Sequence, residues 1–542
     1  MILRRLYIYL ASAAALVVVA FGLAGLGVTL LQVAFNGADE FSRSALAGFT
    51  AAVVVSLPVW AIHMWFGFRF ARRDPAERAS AIRRLYLYLA CAGYSIGAAI
   101  ALASTVTLAT QQGLESSNNL QLTIAQAAWV TVVLAAIWAF HYRIAARDRA
   151  AVGEIGASAT LRRWYMYIAL FVGLFMMLGG AQGVIQLAWV KTLKSSVYAN
   201  FLISIPAGQL AGGFLLWAFH ARVLVTRFAE DDRRSTLRAV EGFIAVAICI
   251  GAALVSASQI LYFSVAHILG VANPGGTDND LLSAFAQPAS TMVVYGAAWL
   301  LIRRRLAQDA GSGEGARQAG MRRFYTNLAA LVSMGALAVG AVGVLGTLLT
   351  QAEAQLIGVT ASDWRDPLSL WVTLLVVGGA VWLAHWRPVP WLGERQAISR
   401  RIYLWAALLG SVLGVLGGGI GVLYIVLRQA FSGRPQLNDP NNLGFAQSFA
   451  LIVVAAAVGL YHWRILRSDA SSRHAAPTPA PAAAPAVTAP APAGEPVHAP
   501  EAAAGLHYSL SVVGATEDDV HQALANLPPQ ASYHLTPSDQ PT

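Results

Sequence analysis

Long apolar runs recur along this chain at an even spacing, and their length decides what solvent they can fold in. Twelve are legible, near 6–34, 46–68, 85–110, 124–145, 165–190, 199–225, 240–270, 282–302, 325–350, 367–386, 402–428 and 446–463. A helix of about 20 apolar residues is as long as the roughly 30 Å hydrocarbon core of a bilayer. Inside hydrocarbon every backbone N–H and C=O must be paired within its own segment, so the runs are expected to be α-helices. Composition agrees, since 57% of the 542 residues are hydrophobic and only 12% are charged, which describes a chain surrounded mostly by lipid.

The runs are punctuated by one signature. It opens as Arg4-Arg5-Leu6-Tyr7, Arg83-Arg84-Leu85-Tyr86, Arg162-Arg163-Trp164-Tyr165, Arg322-Arg323-Phe324-Tyr325 and Arg400-Arg401-Ile402-Tyr403, with a degenerate copy near Arg238. It closes on Trp, His and Arg, as in Trp138-Ala139-Phe140-His141-Tyr142-Arg143, Trp217 with His220 and Arg222, and Trp382 with His385 and Arg387. Looser closings occur at Trp60 with His63, at Trp299 with Arg304 and at His462 with Arg464. Arg4, Arg83 and Arg162 follow one another at 79 residues. Such a fixed period reads as an internal repeat, here a two-helix hairpin.

Cations set the expected orientation. Only six of the 37 Lys and Arg residues (Arg43, Lys191, Lys194, Arg365, Arg428 and Arg434) fall in the odd-numbered connections. The positive-inside rule then places both termini and the even connections in the cytoplasm. The net charge of +10 is accounted for by that topology and by anionic headgroups, so no nucleic-acid partner is expected. Leu6 onward is too long for the apolar region of a secretory signal, and its equivalents recur inside the chain, so it reads as a permanent helix. Cys91 and Cys249 both lie within runs and build no disulfide framework or thiolate metal site.

A second period lies above the first. Asn118-Asn119-Leu120, Asn279-Asp280-Leu281 and Asn441-Asn442-Leu443 precede Gln126, Gln287 and Gln447 in the even hairpins alone. The expected fold is therefore an all-α membrane protein of twelve transmembrane helices, six same-way-up hairpins grouped as three four-helix repeats at 1–161, 162–321 and 322–470. A disordered Ala/Pro-rich linker is expected at 471–505 and a small β-α-β-like cytoplasmic tail at 506–542. Same-way-up hairpins make a parallel repeat, unlike the inverted repeats of many secondary transporters.

The Arg-Arg-x-Tyr opening, the four-span unit and the Trp/His/Arg closing resemble the bacterial four-helix membrane domain known as domain-of-unknown-function family 5671, over about residues 1–470. The resemblance implies a multi-pass bacterial membrane protein, placed in the cytoplasmic (inner) membrane, and brings no activity with it.

The candidate sites each have a plain alternative. His63, His141, His220, His385 and His462 could ligate haem or a metal, but Trp, His and Arg at one depth also make an ordinary interfacial belt. Read that way, Arg4, Arg5, Arg83, Arg84, Arg162, Arg163, Arg322, Arg323, Arg400 and Arg401, with Trp138, Trp217, Trp299 and Trp382, are interfacial anchors. Gln126, Gln287, Gln447, Asn119, Asp280 and Asn442 could line an outward polar pocket, or serve as helix-to-helix hydrogen bonds and N-caps. Pro206 and Pro288 both lie 11 residues before a Trp and suggest a shared kink. Glu241 interrupts the degenerate opening. No catalytic motif is present, so no enzyme, no cofactor and no metal are expected. The favoured role is a non-enzymatic membrane scaffold or signalling component, with the bilayer and a possible protein bound by the tail as partners. Transport of a small neutral or weakly polar solute and haem-linked electron transfer are the alternatives.

Overall fold

The computed structural model describes residues 2–474 apart from 116–118, 194–201, 229–231, 233–234, 277–279, 312–315, 359, 361–362, 389–394, 396 and 432–443. Of the linker expected at 471–505, residues 471–474 are instead the last turn of the final helix; the rest of it, the tail expected at 506–542, and Asn118, Asn279 and Asn442 lie outside the described residues. Among them the secondary structure is helical throughout. The helices are α1 (Ile2–Asn36), α2 (Glu40–Arg73), the single turn α3 (Pro75–Arg78), α4 (Ala81–Leu114), α5 (Gln121–Val152), α6 (Ala157–Thr192), α7 (Ser204–Arg227), α8 (Thr236–Ile268), α9 (Leu281–Gly311), α10 (Ala316–Ile357), α11 (Arg365–His385), α12 (Ile398–Phe431) and α13 (Gly444–His474). A 3₁₀ turn at Pro274–Gly276 follows α8.

Eleven of these are long and apolar enough to cross a membrane. Apart from the single turn α3, the exception is α7, where the sixth apolar run was expected to span. Its Gly208, Gln209, Gly212, Gly213 and His220 dilute its hydropathy. The dilution has a packing cause, because α7 is wedged between α4 and α6. A Cβ on Gly173 of α6 would sit 2.7 Å from the Trp217 backbone nitrogen, and one on Gly180 would sit 2.7 Å from the Pro206 carbonyl oxygen. On the other side Gly208 and Gly212 press on the Ala103 and Ala99 carbonyls of α4. Apolar bulk has been exchanged for close backbone approach, as is usual where membrane helices pack tightly. Gly180→Leu is accordingly expected to cost about 1–3 kcal/mol by overpacking, seen as a lower midpoint in thermal unfolding. An unchanged midpoint would refute that contact.

Local signals set the helix ends. Asp39 caps α2 reciprocally with Ser42, and Asp74 caps α3 with Pro75 as its first residue, both because the first amides of a helix lack partners. Pro58 and Pro288 lie inside α2 and α9. Pro206 does not share the position of Pro288 in its helix: it is the third residue of α7, where its missing N–H breaks no helical hydrogen bond.

Consecutive long helices pair as α1–α2, α4–α5, α6–α7, α8–α9, α10–α11 and α12–α13. Every pair after the first follows one rule. Its second helix lies against its own first helix and against the first helix of the pair before: α5 on α4 and α1, α7 on α6 and α4, α9 on α8 and α6, α11 on α10 and α8, α13 on α12 and α10. First helices also touch their successors, from α1 through α4, α6, α8 and α10 to α12. Among the described residues, extensive packing does not return from the sixth pair to the first. The pairs thus form an open row. The first core cluster runs from Ile8 through Tyr86 and Tyr165 to Phe228, so it crosses residue 161 without a break. At the end of the row α13 continues to His474.

Candidate functional site: the signature end of the row

The paired arginines and their tyrosines fall together at one end of the helices, because each opens a first helix while each Trp/His closing ends a second helix. In three junctions the residues complete a relay. On α5 the Trp138 indole N–H donates to the Tyr165 hydroxyl of α6 at 3.2 Å. Tyr165 lies 2.7 Å from His220 Nε2 on α7, and His220 Nδ1 lies 2.8 Å from the Leu216 carbonyl oxygen. The same set recurs as Trp60 to Tyr86 (3.1 Å), Tyr86 to His141 (2.9 Å) and His141 to the Ile137 carbonyl (2.8 Å). It recurs again as Trp382 to Tyr403 (2.9 Å), Tyr403 to His462 (2.8 Å) and His462 to the Val458 carbonyl (2.8 Å).

Donor rules fix the direction of every bond in the relay. Indole can only donate and a carbonyl can only accept. The tyrosine oxygen therefore accepts from Trp, its O–H is free to donate to Nε2, and Nδ1–H donates to the carbonyl. With the tyrosine O–H donating to Nε2, each histidine is the neutral Nδ1–H tautomer with both nitrogens engaged. His141, His220 and His462 are at most 1% exposed, and a haem or metal could take their Nε2 only by displacing a tyrosine. His63 and His385 are half-buried and looser. His63 Nε2 is 3.4 Å from the Tyr7 hydroxyl, and His385 meets the Tyr325 ring edge-on at 6.1 Å. In the fourth pair Glu241 and Ile302 occupy the tyrosine and histidine positions, so the two members are absent together. Glu241 instead accepts from Arg305 Nη2 at 2.7 Å.

Four of the ten arginines read as interfacial anchors are buried within the protein. Arg83, Arg84, Arg162 and Arg400 are 1%, 0%, 3% and 4% exposed, and each meets a carboxylate. Arg83 Nε lies 2.6 Å from Asp148 and its Nη1 donates to the Tyr9 hydroxyl at 2.9 Å. Arg400 Nε lies 2.8 Å from Asp469. Glu154, in the link between α5 and α6, joins Arg84 at 3.1 Å to Arg162 at 3.0 Å and also accepts from Tyr88. Asp232 meets Arg163 at 2.8 Å and Glu77 meets Arg5 at 2.9 Å. Burying a guanidinium is affordable only when such a partner is present. Arg4 and Arg322 are exposed and Arg323 is half-buried, as are Trp138, Trp217, Trp299 and Trp382.

Sequence reasoning missed the carboxylates. Asp148 and Asp469 each stand seven residues after a relay histidine, and Asp309 stands seven after Ile302, so the signal is a conditional one: an acid two helical turns beyond the histidine slot of every even pair.

At the other end the amides act locally. Gln126 Nε2 donates to the Val28 carbonyl on α1 at 3.2 Å, and Gln287 Nε2 donates to Thr291 on its own helix at 3.2 Å. Gln447 packs on Gly346 of α10. Asn119 and Asp280 accept from the amides of Gln121 and Leu282, at 3.2 and 3.1 Å, at the starts of α5 and α9. Among the described residues no three His, Cys, Asp or Glu side chains are grouped as a metal ion would need.

A family described as Domain of unknown function (DUF5671) matches residues 5–136 and 323–445. The match comprises two copies, and the stretch 162–321, read as a third from the sequence, lies outside both. No curated protein and no solved structure matches the chain.

Proposed function

From a chain that carries two copies of the DUF5671 domain, we propose a polytopic scaffold or signalling component of the bacterial inner membrane, acting without catalysis and without a cofactor. In this reading α7 spans with the other eleven long helices. The twelve crossings form three same-way-up four-helix units at 1–161, 162–321 and 322–470, with both termini and the signature end in the cytoplasm. A protein partner would engage the tail beyond 475.

The observation that carries the reading is that the chemically capable side chains of the signature are engaged between helices. Each relay uses a second helix of one pair to hold both helices of the next, and its histidines keep no free nitrogen. Transport has less support, because Gln126 and Gln287 bond to their own or a neighbouring helix. The test is a map of single-cysteine variants in a chain with Cys91 and Cys249 replaced by alanine. Cysteines at Ser80 and Gly156 should be labelled only from the cytoplasmic side and one at Gly37 only from outside. Labelling of position 80 from outside overturns the topology, and a Soret band in the purified protein overturns the cofactor-free role.

A further inference from the structure

The sixth pair ends the row, and its signature has two departures that meet at one place, the first of them shared by Arg323 Nε of the fifth opening. The second arginine of each of the first three openings has a carboxylate: Arg5 has Glu77, Arg84 has Glu154 and Arg163 has Asp232. In the sixth, the one acid of α13, Asp469, is taken by Arg400 at 2.8 Å and approached by Arg395 at 4.0 Å. Arg401 Nε is buried and has no hydrogen-bond partner. The Arg401 side chain as a whole is half-buried, and an unpaired guanidinium N–H gains from an anionic acceptor.

The second departure is Gly459, which stands where Trp138 and Trp299 stand in the other even pairs. Beside it, between α12 and α13, runs a groove of about 540 Å³ lined by Leu408, Val412, Leu416, Ala456, Leu460 and Trp463 among others. Helical spacing connects the groove to the cations. Arg401, Trp405, Leu408, Val412 and Val415 form one stripe of α12, and Ala456, Leu460, Trp463 and Arg467 form one stripe of α13. Arg467 lies directly over the Trp463 ring at 5.1 Å. The groove walls are therefore apolar along the span and end at the signature side in Arg401 and Arg467.

We propose that this terminal groove is a binding site for a phospholipid with an anionic headgroup, one acyl chain lying along Leu408 to Leu416 and the phosphate seated between Arg401 and Arg467. Charge and apolarity are arranged in the order an amphiphile requires, and basic pockets at the ends of membrane helices recognise anionic headgroups in this way. A free phosphate would satisfy the arginines but leave the groove open, and a second copy of the chain would fill the groove without needing the cations. The inference rests on the membrane reading and is independent of the scaffold role.

The test titrates the delipidated full-length protein with dioleoyl phosphatidylglycerol, dioleoyl phosphatidylcholine or inorganic phosphate and counts bound molecules by native mass spectrometry. One phosphatidylglycerol should remain bound after the weaker ones have dissociated. R467Q and R401Q should each weaken that molecule roughly 5-fold and the double variant roughly 25-fold, at about 1 kcal/mol for each arginine. Ala456→Trp, which fills the groove and leaves both arginines, should also remove it. R467Q alters an exposed side chain and so keeps the test valid if R401Q folds poorly. Retention of the lipid by Ala456→Trp, no preference over phosphatidylcholine, competition by phosphate alone, or a change of oligomeric state in place of lipid loss would each overturn the assignment.

Discussion

Asp148→Asn will destabilise the protein by about 3–5 kcal/mol, because the substitution keeps the shape of the side chain and removes the carboxylate that, among the described residues, pairs with Arg83. Arg83 is 1% exposed and its Nε lies 2.6 Å from Asp148 Oδ2. Its Nη1 retains the Tyr9 hydroxyl and the Gly67 carbonyl, at 2.9 and 3.3 Å, but neither carries charge. The guanidinium cannot shed its proton to escape the mismatch. The cost should appear as a fall in the unfolding midpoint in mild detergent. A double variant, Arg83→Met with Asp148→Leu, should recover most of the loss, since replacing a buried pair by apolar residues of similar size is often neutral or favourable. If Asp148→Asn and the double variant are equally unstable, packing and not charge holds this junction. Asp469, on Arg400, is the second site for the same comparison.

The fold was legible in the sequence because membrane helices announce themselves by length and apolarity, which are local properties. The period was legible because the signature repeats. What the arginines do was not legible, since Arg-Arg beside an apolar run is what orientation alone requires, and an arginine facing phosphate looks the same in sequence as one facing Asp148. The distinction lies in a carboxylate 65 positions away. The tyrosine after the paired arginines raises the same difficulty, because its partners stand on two other helices. The open row was hidden for a related reason: a parallel repeat permits both a closed ring and a row, and only the seating of α5, α7, α9, α11 and α13 against the preceding pair decides between them. The glycines of α7 are ambiguous in sequence, because the close packing on two neighbours that they serve here also lowers the apolarity by which a span is read.

The fourth pair shows what the relay is worth, because it lacks the tyrosine and the histidine together. Donor accounting explains the tyrosine and histidine going together, since either alone would leave a buried polar atom unpaired, while Trp217, the indole at the first position of that relay, is retained. Tyr165→Phe is the sharpest case. It deletes one oxygen and leaves the Trp138 N–H and His220 Nε2, now 3.2 and 2.7 Å from the lost atom, without partners in an apolar interior. At about 1–3 kcal/mol for each orphaned group, the expected loss is about 2–6 kcal/mol. Adding His220→Leu and Trp138→Phe to Tyr165→Phe removes the polar groups as well, so this triple variant should be more stable than Tyr165→Phe by itself, even though it has lost more hydrogen bonds. Thermal unfolding of the single and triple variants decides the point. If the triple variant is the weaker of the two, the junction is held by indole and imidazole packing, such as the 4.8 Å contact of Trp138 with Phe219, and the relay merely accompanies it.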